Sequence, residues 1–234
     1  MHETCLIVTC EHGGNDIPAD FVSLFEGLRE TLDSHRGYDV GALELARHFA
    51  DAFEAPLFAS TVSRLLIDCN RSQHNRTLFS SVTRSFSKLQ RGAIVERCYL
   101  PFRQPVEKFV AERVREGHRV LHLSVHTFAP VFDGELRHGD IGLLYDPGRA
   151  VESMLCHDWQ RQLKRFFPGF VVRRNYPYRG TSDGFVSTFR KRYSQEHYLG
   201  CELEVNQKHP ADATDEWRHI KSSLIESFRD VYAS

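Results

Sequence analysis

The sequence has no long hydrophobic run and no excess of either charge, and each absence excludes a class of protein. No apolar stretch approaches the ~20 residues that a membrane-spanning helix needs. Lysine plus arginine total 30 and aspartate plus glutamate total 31, so the formal net charge is −1. Such a chain has no field that attracts nucleic acid or an anionic bilayer. We therefore expect small-molecule chemistry, with no nucleic-acid partner and no membrane partner.

The sequence also lacks a CxxC pair, although it contains six cysteines. They are dispersed along the chain at Cys5, Cys10, Cys69, Cys98, Cys156 and Cys201. A chain of 234 residues does not need disulfides to stabilise its core, so free thiols in a reducing compartment are expected. The N-terminus lacks the basic start and the cleavage site of a signal peptide. Together these features predict a cytoplasmic protein.

The composition is that of an ordinary folded protein, with 41% hydrophobic and 26% charged residues. These proportions exclude extensive disorder and a coiled coil. No internal repeat, low-complexity tract or long linker divides the chain. We therefore expect a single domain over residues 1–234, and the oligomeric state is open.

Apolar segments with strand spacing alternate with segments of helical spacing. The predicted strands cover residues 5–10, 56–62, 65–67, 120–125, 141–145, 170–172 and 198–205, and the predicted helices cover residues 40–53, 99–116, 151–166 and about 215–232. Residues 72–91 are polar and predict a long surface loop. The alternation predicts a three-layer α/β/α fold with a mostly parallel mixed sheet. In such sheets, ligands bind beyond the carboxyl ends of the strands.

Two histidines follow predicted strands and are candidate metal ligands. His12 follows the first strand and precedes two glycines, and His126 follows a middle strand. Two imidazoles and a carboxylate suit a catalytic zinc ion, which keeps a fourth position open for water. Asp39, at the start of the first helix, is either the third ligand or a helix N-cap. Glu11 and Asn15 are further candidates for this third position.

Carboxylates and arginines at the same predicted edge are candidates for catalysis and substrate binding. Glu202 and Glu204 are two residues apart on the last strand, so their side chains share one face of the sheet. One of them could take a proton from an attacking water, and the other could pair with an arginine. Four arginines could bind a substrate carboxylate in a two-pronged geometry: Arg64, Arg71, Arg173 and Arg179.

Seven short motifs occur in order along residues 5–208. They are CEHGG at 10–14, DVGA at 39–42, SRLLIDCNR at 63–71, HTF at 126–128, DIGLLY at 140–145, NYPYRG at 175–180 and ELEVNQ at 202–207. Together they resemble the N-formylglutamate amidohydrolase family. The resemblance implies a zinc-dependent hydrolase with a fold similar to that of zinc carboxypeptidases and aspartoacylases.

The resemblance also implies a set of metal ligands and a catalytic base. It predicts one Zn²⁺ per chain, held by His12, Asp39 and His126. In the carboxypeptidase-like relatives a glutamate ligand lies three residues after the first histidine, whereas this chain has Asn15 there. Asp39 would supply the ligand instead. Glu204 matches the catalytic glutamate of these relatives better than Glu202 does.

The predicted substrate site follows from the same resemblance. Asn70 and Arg71 look like the pair that grips the substrate carboxylate in the carboxypeptidases, and Arg71 is therefore also expected to act in catalysis. Arg64 and Asn175 complete the predicted substrate-binding set, and residues 72–91 could form part of the pocket. The implied reaction cleaves the amide of an N-acyl amino acid. With N-formyl-L-glutamate it yields formate and L-glutamate, a terminal step of histidine breakdown.

Other hypotheses remain at this point. The same fold could act on a different N-acyl amino acid or a small peptide, or it could form a non-catalytic zinc-binding or ligand-binding domain. A third hypothesis treats Cys10 or Cys69 as a nucleophile paired with His12. These hypotheses differ in whether a metal, a thiol or neither is needed.

Overall fold

The structure is a computed structural model that describes residues 3–210 and 215–232. Its strands are β1 (Thr4–Cys10), β2 (Leu57–Ala59), β3 (Arg119–Phe128), β4 (Val131–Phe132), β5 (Glu135–Leu136), β6 (Ile141–Leu144), β7 (Val172–Arg174) and β8 (Tyr198–Asn206). Its α-helices are α1 (Arg29–Leu32), α2 (Ala42–Ala52), α3 (Lys88–Ile94), α4 (Leu100–Arg115), α5 (Ala150–Phe166), α6 (Phe185–Arg192) and α7 (Asp215–Tyr232). A 3₁₀-helix (Ala19–Phe25) follows β1, and a π-helical turn (Val95–Tyr99) joins α3 to α4. Among these helices, none has the length and apolar character needed to cross a membrane.

Six strands form one mixed sheet in the order β2-β1-β3-β8-β6-β7. The four strands β2, β1, β3 and β8 run parallel, whereas β6 is antiparallel to β8 and β7 is parallel to β6. The carboxyl ends of β1, β3 and β8 therefore meet at one edge. In this register, His126 on β3 lies directly beside Glu204 on β8.

Helices cover both faces of the sheet, which confirms the predicted three-layer α/β architecture. On the first face, alternate residues of β1, β3 and β8 pack against α2, α5 and α7, with Trp159 and Phe228 fully buried between the helices. On the second face, apolar residues pack against α4 and α6 only near the amino ends of the central strands. The carboxyl halves of these strands carry polar side chains on that second face, and these side chains form the floor of a cleft.

The entry into α2 requires a glycine. Gly41 has φ +81°, and a Cβ atom at this position would lie 2.4 Å from Cβ of Pro210. A side chain here would meet both a strained backbone and a clash, so glycine is needed. The turn into α2 also fixes the preceding residues, and the backbone N–H of Asp39 donates to the carbonyl of His12 at 3.0 Å. This hydrogen bond ties the start of α2 to the end of β1.

The structure corrects several of the predicted elements. Residues 65–67 form no strand; they lie buried in a turn whose carbonyls accept hydrogen bonds from the hydroxyls of Ser80 and Thr83. These hydroxyl groups thus provide the hydrogen bonds that buried backbone carbonyls need and that a neighbouring strand would otherwise supply. The predicted loop at residues 72–91 is irregular only as far as Ser87, where α3 begins with a capping box. The helix α6 and the 3₁₀-helix were not predicted.

A buried carboxylate joins the loop before α6 to the centre of the sheet. Glu152 on α5 has no exposed surface and lies between two arginines, Arg149 at 3.1 Å and Arg190 at 2.9 Å. Its oxygens also accept the backbone N–H groups of Asp146 and Gly200. Arg190 in turn donates to the carbonyls of Gly180 and Gly200. This network fixes the loop that precedes α6.

Removing this carboxylate is expected to destabilise the fold. Glu152→Ala leaves Arg190, whose side chain is 5% exposed, as a buried charge without its partner. We expect the free energy of unfolding to fall by about 3–5 kcal/mol, measured by denaturant titration. The matched control is Asp158→Ala, which removes an exposed partner of Arg161 and should change stability by less than about 1 kcal/mol. Equal effects of the two substitutions would contradict this account.

Candidate active site

A cleft of about 400 Å³ opens at the carboxyl ends of β1, β3 and β8. Its wall contains most of the predicted site residues: His12, Asp39, Arg64, Asn70, Arg71, His126, Glu202 and Glu204. The wall also contains residues from the segment before α6, including Tyr178, Arg179 and Asp183. A cleft of this size suits a small-molecule ligand.

Two imidazoles and one carboxylate converge at the base of the cleft. The Nδ1 atom of His126 lies 2.9 Å from Oδ2 of Asp39, and Nδ1 of His12 lies 3.3 Å from the same oxygen. The potential ligand atoms of all three residues lie within 4.8 Å of one another, and all three side chains are buried. Two imidazole nitrogens and one carboxylate oxygen match the three protein ligands of catalytic zinc sites. This group could therefore hold a metal ion.

The second nitrogen of each imidazole is held by another carboxylate. Nε2 of His12 lies 2.7 Å from Oδ1 of Asp68, and Nε2 of His126 lies 3.2 Å from Oε2 of Glu11. Histidines that bind metals commonly use the ring nitrogen remote from the metal in this way, which fixes the ring orientation. Glu11, a candidate third ligand in the sequence, thus lies on the far side of His126. Asn15 also points elsewhere, because its amide donates to Leu32 and Asp33.

The contact between Glu11 and His126 continues into a buried chain of hydrogen bonds across the second face. The hydroxyls of Thr9 and Ser124 donate to the two carboxylate oxygens of Glu11 at 2.6 and 2.7 Å. Thr9 also contacts Nε2 of His122 at 2.7 Å, and Nδ1 of His122 lies 2.7 Å from the hydroxyl of Tyr198. Residues Thr9, Ser124, His122 and Tyr198 were not predicted as site residues. The sequence pattern that could have identified them is the alternation of polar and apolar residues within a strand, as in His122-Leu-Ser124-Val-His126.

The pKa values of the buried carboxylates follow from this pairing. Burial acts to raise the pKa of Asp39, but His12 and His126 outweigh it and hold that pKa well below its usual range. For Glu11, burial acts in the same direction, and the hydrogen bond from His126 brings its pKa to about 2. Burial also acts to raise the pKa of Asp68. Arg64 and His12 outweigh this effect and hold the pKa of Asp68 well below its usual value. All three carboxylates are therefore ionised at neutral pH.

Arg64 connects two of these carboxylates. Its Nη2 atom donates to Asp68 at 2.9 Å and its Nη1 atom to Asp39 at 3.4 Å. Burial opposes the charge of Arg64, but the two carboxylates raise its pKa, so the guanidinium stays charged. The side chain is 28% exposed and faces the cleft. It can therefore contact a bound substrate while neutralising the acids below it.

Asn70 and Arg71 lie side by side on the wall of the cleft. The amide of Asn70 lies 3.4 Å from Nε2 of His126, and its oxygen accepts the backbone N–H of Phe185 at 2.7 Å. Arg71 donates to the backbone carbonyl of Asp183, and its Nε atom lies 3.8 Å from Asp68. Both predicted substrate-binding residues are thus fixed against the start of α6.

Glu204 differs from every other carboxylate of the site. Its Oε2 atom is buried and has no hydrogen-bond partner among the described residues. Burial raises the pKa of Glu204 to about 8, although the nearby His126 lowers it. Burial also raises the pKa of Glu202, which lies two residues earlier on the same face. Glu204 is therefore a carboxyl group with a free oxygen and a pKa near neutrality, directly beside His126.

Asn175 lies apart from the wall of the cleft. Its side-chain oxygen accepts the backbone N–H groups of Tyr145 and Gly180, at 3.2 and 2.9 Å, and so closes a turn. The reason lies in the topology, because β7 is the edge strand of the sheet and runs opposite to the four parallel strands. We therefore leave Asn175 out of the proposed substrate site. Residues 72–91 also contribute no lining residue; Ser72 and Asn75 instead hold Asp183, which does.

The geometry argues against a cysteine nucleophile. Cys10 has no exposed surface and packs into the core on the first face of the sheet. Burial raises the pKa of both Cys10 and Cys69, and that of Cys69 reaches about 12. The thiol of Cys69 donates to Ser60 rather than contacting His12. Reactive cysteines need the opposite setting, namely a lowered pKa and access to substrate.

Comparison with known proteins shows the family of the chain. A family model for N-formylglutamate amidohydrolases matches residues 4–209. The chain belongs to the N-formylglutamate amidohydrolase family. Membership in this family identifies the protein as a hydrolase that acts on linear amide C–N bonds. The comparison with curated proteins found no match.

Two solved structures are similar over almost the entire chain. A gene product of Agrobacterium tumefaciens is 28% identical, with a TM-score of 0.83, and the alignment covers 99% of this chain and 92% of that one. The N-formylglutamate amidohydrolase from Ralstonia eutropha is 17% identical, with a TM-score of 0.74, and the coverage is 100% and 94%. The similarity to the Ralstonia eutropha structure shows a shared fold. The family and the fold therefore agree over the same region.

Asp68 is expected to tune metal affinity through His12. Asp68→Asn keeps the shape of the side chain but removes the charge that holds Nε2 of His12. Loss of such a partner typically weakens metal binding about 10- to 100-fold, and competition between the protein and a chromophoric chelator for Zn²⁺ measures this. Asp158→Asn, on the exposed surface of α5, serves as the matched control and should leave the affinity unchanged. Wild-type affinity in the Asp68 variant would show that this contact does not support the site.

Glu204 is expected to make the stability of the metal-free protein depend on pH. Its pKa rises from an ordinary 4.5 to about 8 on folding, so between these values the unfolded chain releases a proton that the folded chain keeps. Folding stability is thus lost as the pH rises through this window. Glu204→Gln cannot ionise, so the variant should become more stable than the wild type, by on the order of a few kcal/mol above pH 8.

The measurement is denaturant unfolding in a chelator at pH 5 and at pH 8.5. Glu226→Gln, at a carboxylate that is 56% exposed, should show no such change between the two pH values. A stability difference between wild type and Glu204→Gln that stays constant with pH would mean that Glu204 is already ionised at pH 5.

Proposed function

We propose that the protein is a zinc-dependent amidohydrolase that cleaves N-formyl-L-glutamate to formate and L-glutamate. The observation that carries the proposal is the position of Glu204, whose unpartnered carboxyl oxygen lies beside the buried group of His12, Asp39 and His126. A metal-binding group next to a free carboxyl group is the arrangement that metal-assisted amide hydrolysis needs. Family membership supports the same reaction class.

In the proposed mechanism, His12, Asp39 and His126 would hold a zinc ion, which would supply Lewis acidity for the amide carbonyl and for the attacking water. Glu204 accepts a proton from the attacking water and later donates it to the departing amine. General acid–base catalysis works best when the pKa of the group lies near the working pH, and burial raises the pKa of Glu204 above its ordinary value in the metal-free protein. Glu204 therefore serves as base and then as acid.

Asn70 and Arg71 are proposed to bind the α-carboxylate of the substrate. A guanidinium meets a carboxylate with two parallel hydrogen bonds, which fixes orientation as well as position. Arg64 faces the same cleft and can contact the substrate, while its charge is balanced by Asp39 and Asp68. Binding at these residues would hold the scissile amide close to His126 and Glu204, so that positioning contributes to the rate.

The proposal includes a cellular setting. The six cysteines are all free in the structure, as expected in a reducing compartment. We propose that the enzyme acts in the cytoplasm on a small soluble substrate. Hydrolysis of N-formyl-L-glutamate there would be the last step of histidine breakdown.

Substitution of Glu204 tests the chemistry. Glu204→Gln should lower the kcat for formate release from N-formyl-L-glutamate by at least about 100-fold, because general acid–base catalysis contributes about 10²–10⁴-fold. Metal analysis should still find about one zinc per chain, since Glu204 is not among the proposed ligands. Glu202→Gln is the matched control and should retain most of the activity.

The outcomes separate the possible errors. Full activity in the Glu204 variant would move the base to another residue. Wild-type protein that takes up no zinc, even when zinc is supplied during refolding, would refute the metal-assisted scheme. Zinc uptake without turnover of any N-acyl amino acid would indicate a ligand-binding domain instead of an enzyme.

A further inference from the structure

Five arginines line the cleft, and they differ in what they contact. They are Arg36, Arg64, Arg71, Arg137 and Arg179. Arg64 is neutralised by Asp39 and Asp68, and Arg71 is held by the backbone carbonyl of Asp183. Arg137 has a different environment, which neither the motifs nor the proposed mechanism accounts for.

Aromatic rings surround the guanidinium of Arg137. Its central carbon lies 4.5 Å from the ring centre of Phe132, 5.0 Å from that of Tyr178 and 5.9 Å from that of Phe128. Its Nη1 atom donates to the hydroxyl of Tyr178 at 3.2 Å. Ring faces attract a guanidinium without consuming its hydrogen-bond donors. The rings therefore hold Arg137 in place and leave most of its N–H groups free to bind a ligand.

The charge of Arg137 has no acidic partner nearby. Within residues 3–210 and 215–232, no carboxylate oxygen lies within 4.0 Å of its nitrogens, and the hydroxyl of Tyr178 is the only acceptor of its side chain. The same wall carries further positive charge. The pKa of His35 is lowered by burial and then by the charges of Arg36, Arg137 and Arg64. This side of the cleft thus favours an anion.

The position of Arg137 is fixed relative to β8, the strand that carries Glu204. Its backbone carbonyl accepts the side-chain amide of Asn206 at 3.3 Å, and its backbone N–H donates to Pro130 at 2.8 Å. Asn206 ends β8, two residues after Glu204. Arg71, in contrast, is anchored to the loop before α6. The two arginines therefore approach the cleft from independently fixed segments.

We propose that Arg137 forms a second carboxylate subsite, which binds the acidic side chain of an N-acyl amino acid while Asn70 and Arg71 bind its α-carboxylate. The proposal rests on the proposed function for the orientation of the substrate. It adds the residue that selects a dianionic ligand over a monoanionic one. A planar guanidinium with free donors suits a carboxylate better than it suits the neutral amide of a glutamine side chain.

Binding measurements with two nearly isosteric ligands test the subsite. The probes are N-formyl-L-glutamate and N-formyl-L-glutamine, titrated by calorimetry into the zinc-loaded Glu204→Gln protein so that hydrolysis does not interfere. We expect the glutamate derivative to bind about 10- to 100-fold more tightly, as for a charge-assisted hydrogen bond. Adding Arg137→Gln should reduce this ratio to about one, and Arg137→Lys should restore part of it.

Two matched variants show whether the effect is specific. Arg71→Gln should weaken binding of both probes by similar factors, because both carry the α-carboxylate. Arg161→Gln, at an exposed arginine of α5, should affect neither. Circular dichroism of each variant checks that the fold is retained.

The outcomes distinguish this inference from the proposed function. If the Arg137→Gln variant keeps the full preference for the glutamate derivative, or if the starting protein shows no preference, the second subsite is refuted even when the wild type hydrolyses both compounds. If the preference depends on Arg137 but the wild type hydrolyses neither compound, the subsite is supported and the proposed reaction is wrong.

Discussion

The structure of the site depends on the pairing of buried imidazoles with buried carboxylates. Asp39 contacts one nitrogen of both His12 and His126, and Asp68 and Glu11 contact the other nitrogen of each ring. An ionised carboxylate buried without a partner costs several kcal/mol, so each of these acids requires its histidine or arginine. The pairing therefore fixes the orientation of both rings without any contribution from exposed side chains.

The fold supplies this pairing at low cost because the parallel strands end together. Glu11 follows β1, His126 lies near the end of the adjacent strand β3, and Glu204 lies on the next strand, beside His126. Asp39 reaches the same point because the turn at Gly41 ties the start of α2 to the carbonyl of His12. The polar half of the second sheet face is thus built from residues that the backbone register already places side by side. Packing of α4 and α6 is confined to the other half.

The fold class could be predicted from local apolar patterns, and the candidate site from polar residues near strand ends together with the family resemblance. Apolar patterns predict β1, β3 and β8, and the polar residues near their carboxyl ends include His12, His126 and Glu204. The direction of β6 and β7 could not be predicted, since a short apolar strand has the same pattern in either orientation. Asn175 was consequently expected beside the cleft, whereas the structure places its side chain in a turn outside the lining of the cleft. Residues 65–67 were predicted as a strand because hydroxyl donors from residues 80 and 83, which satisfy their carbonyls, have no local signature.

The roles of Asp68 and Glu11, which hold the two histidines, could not be predicted for a different reason. They depend on contacts between residues far apart in the chain. Asp68 meets His12 across 56 residues, and Ser124 meets Glu11 across 113 residues. Either acid could have been a metal ligand, a base or a surface residue on sequence grounds.

The arginines illustrate the same principle, because their function follows from the presence or absence of an acidic partner. Arg190 is matched to Glu152 and has a structural role, whereas Arg64 is matched to Asp39 and Asp68 and balances the charge of the site. A guanidinium that is already neutralised gains little from a second anion, since the first carboxylate has occupied its donors and screened its charge. Arg137 is held by rings instead of carboxylates, so its charge and its donors remain available. Selection of an acidic ligand is therefore expected from Arg137, whose side chain contacts rings and a hydroxyl, more than from Arg64, which already contacts two carboxylates.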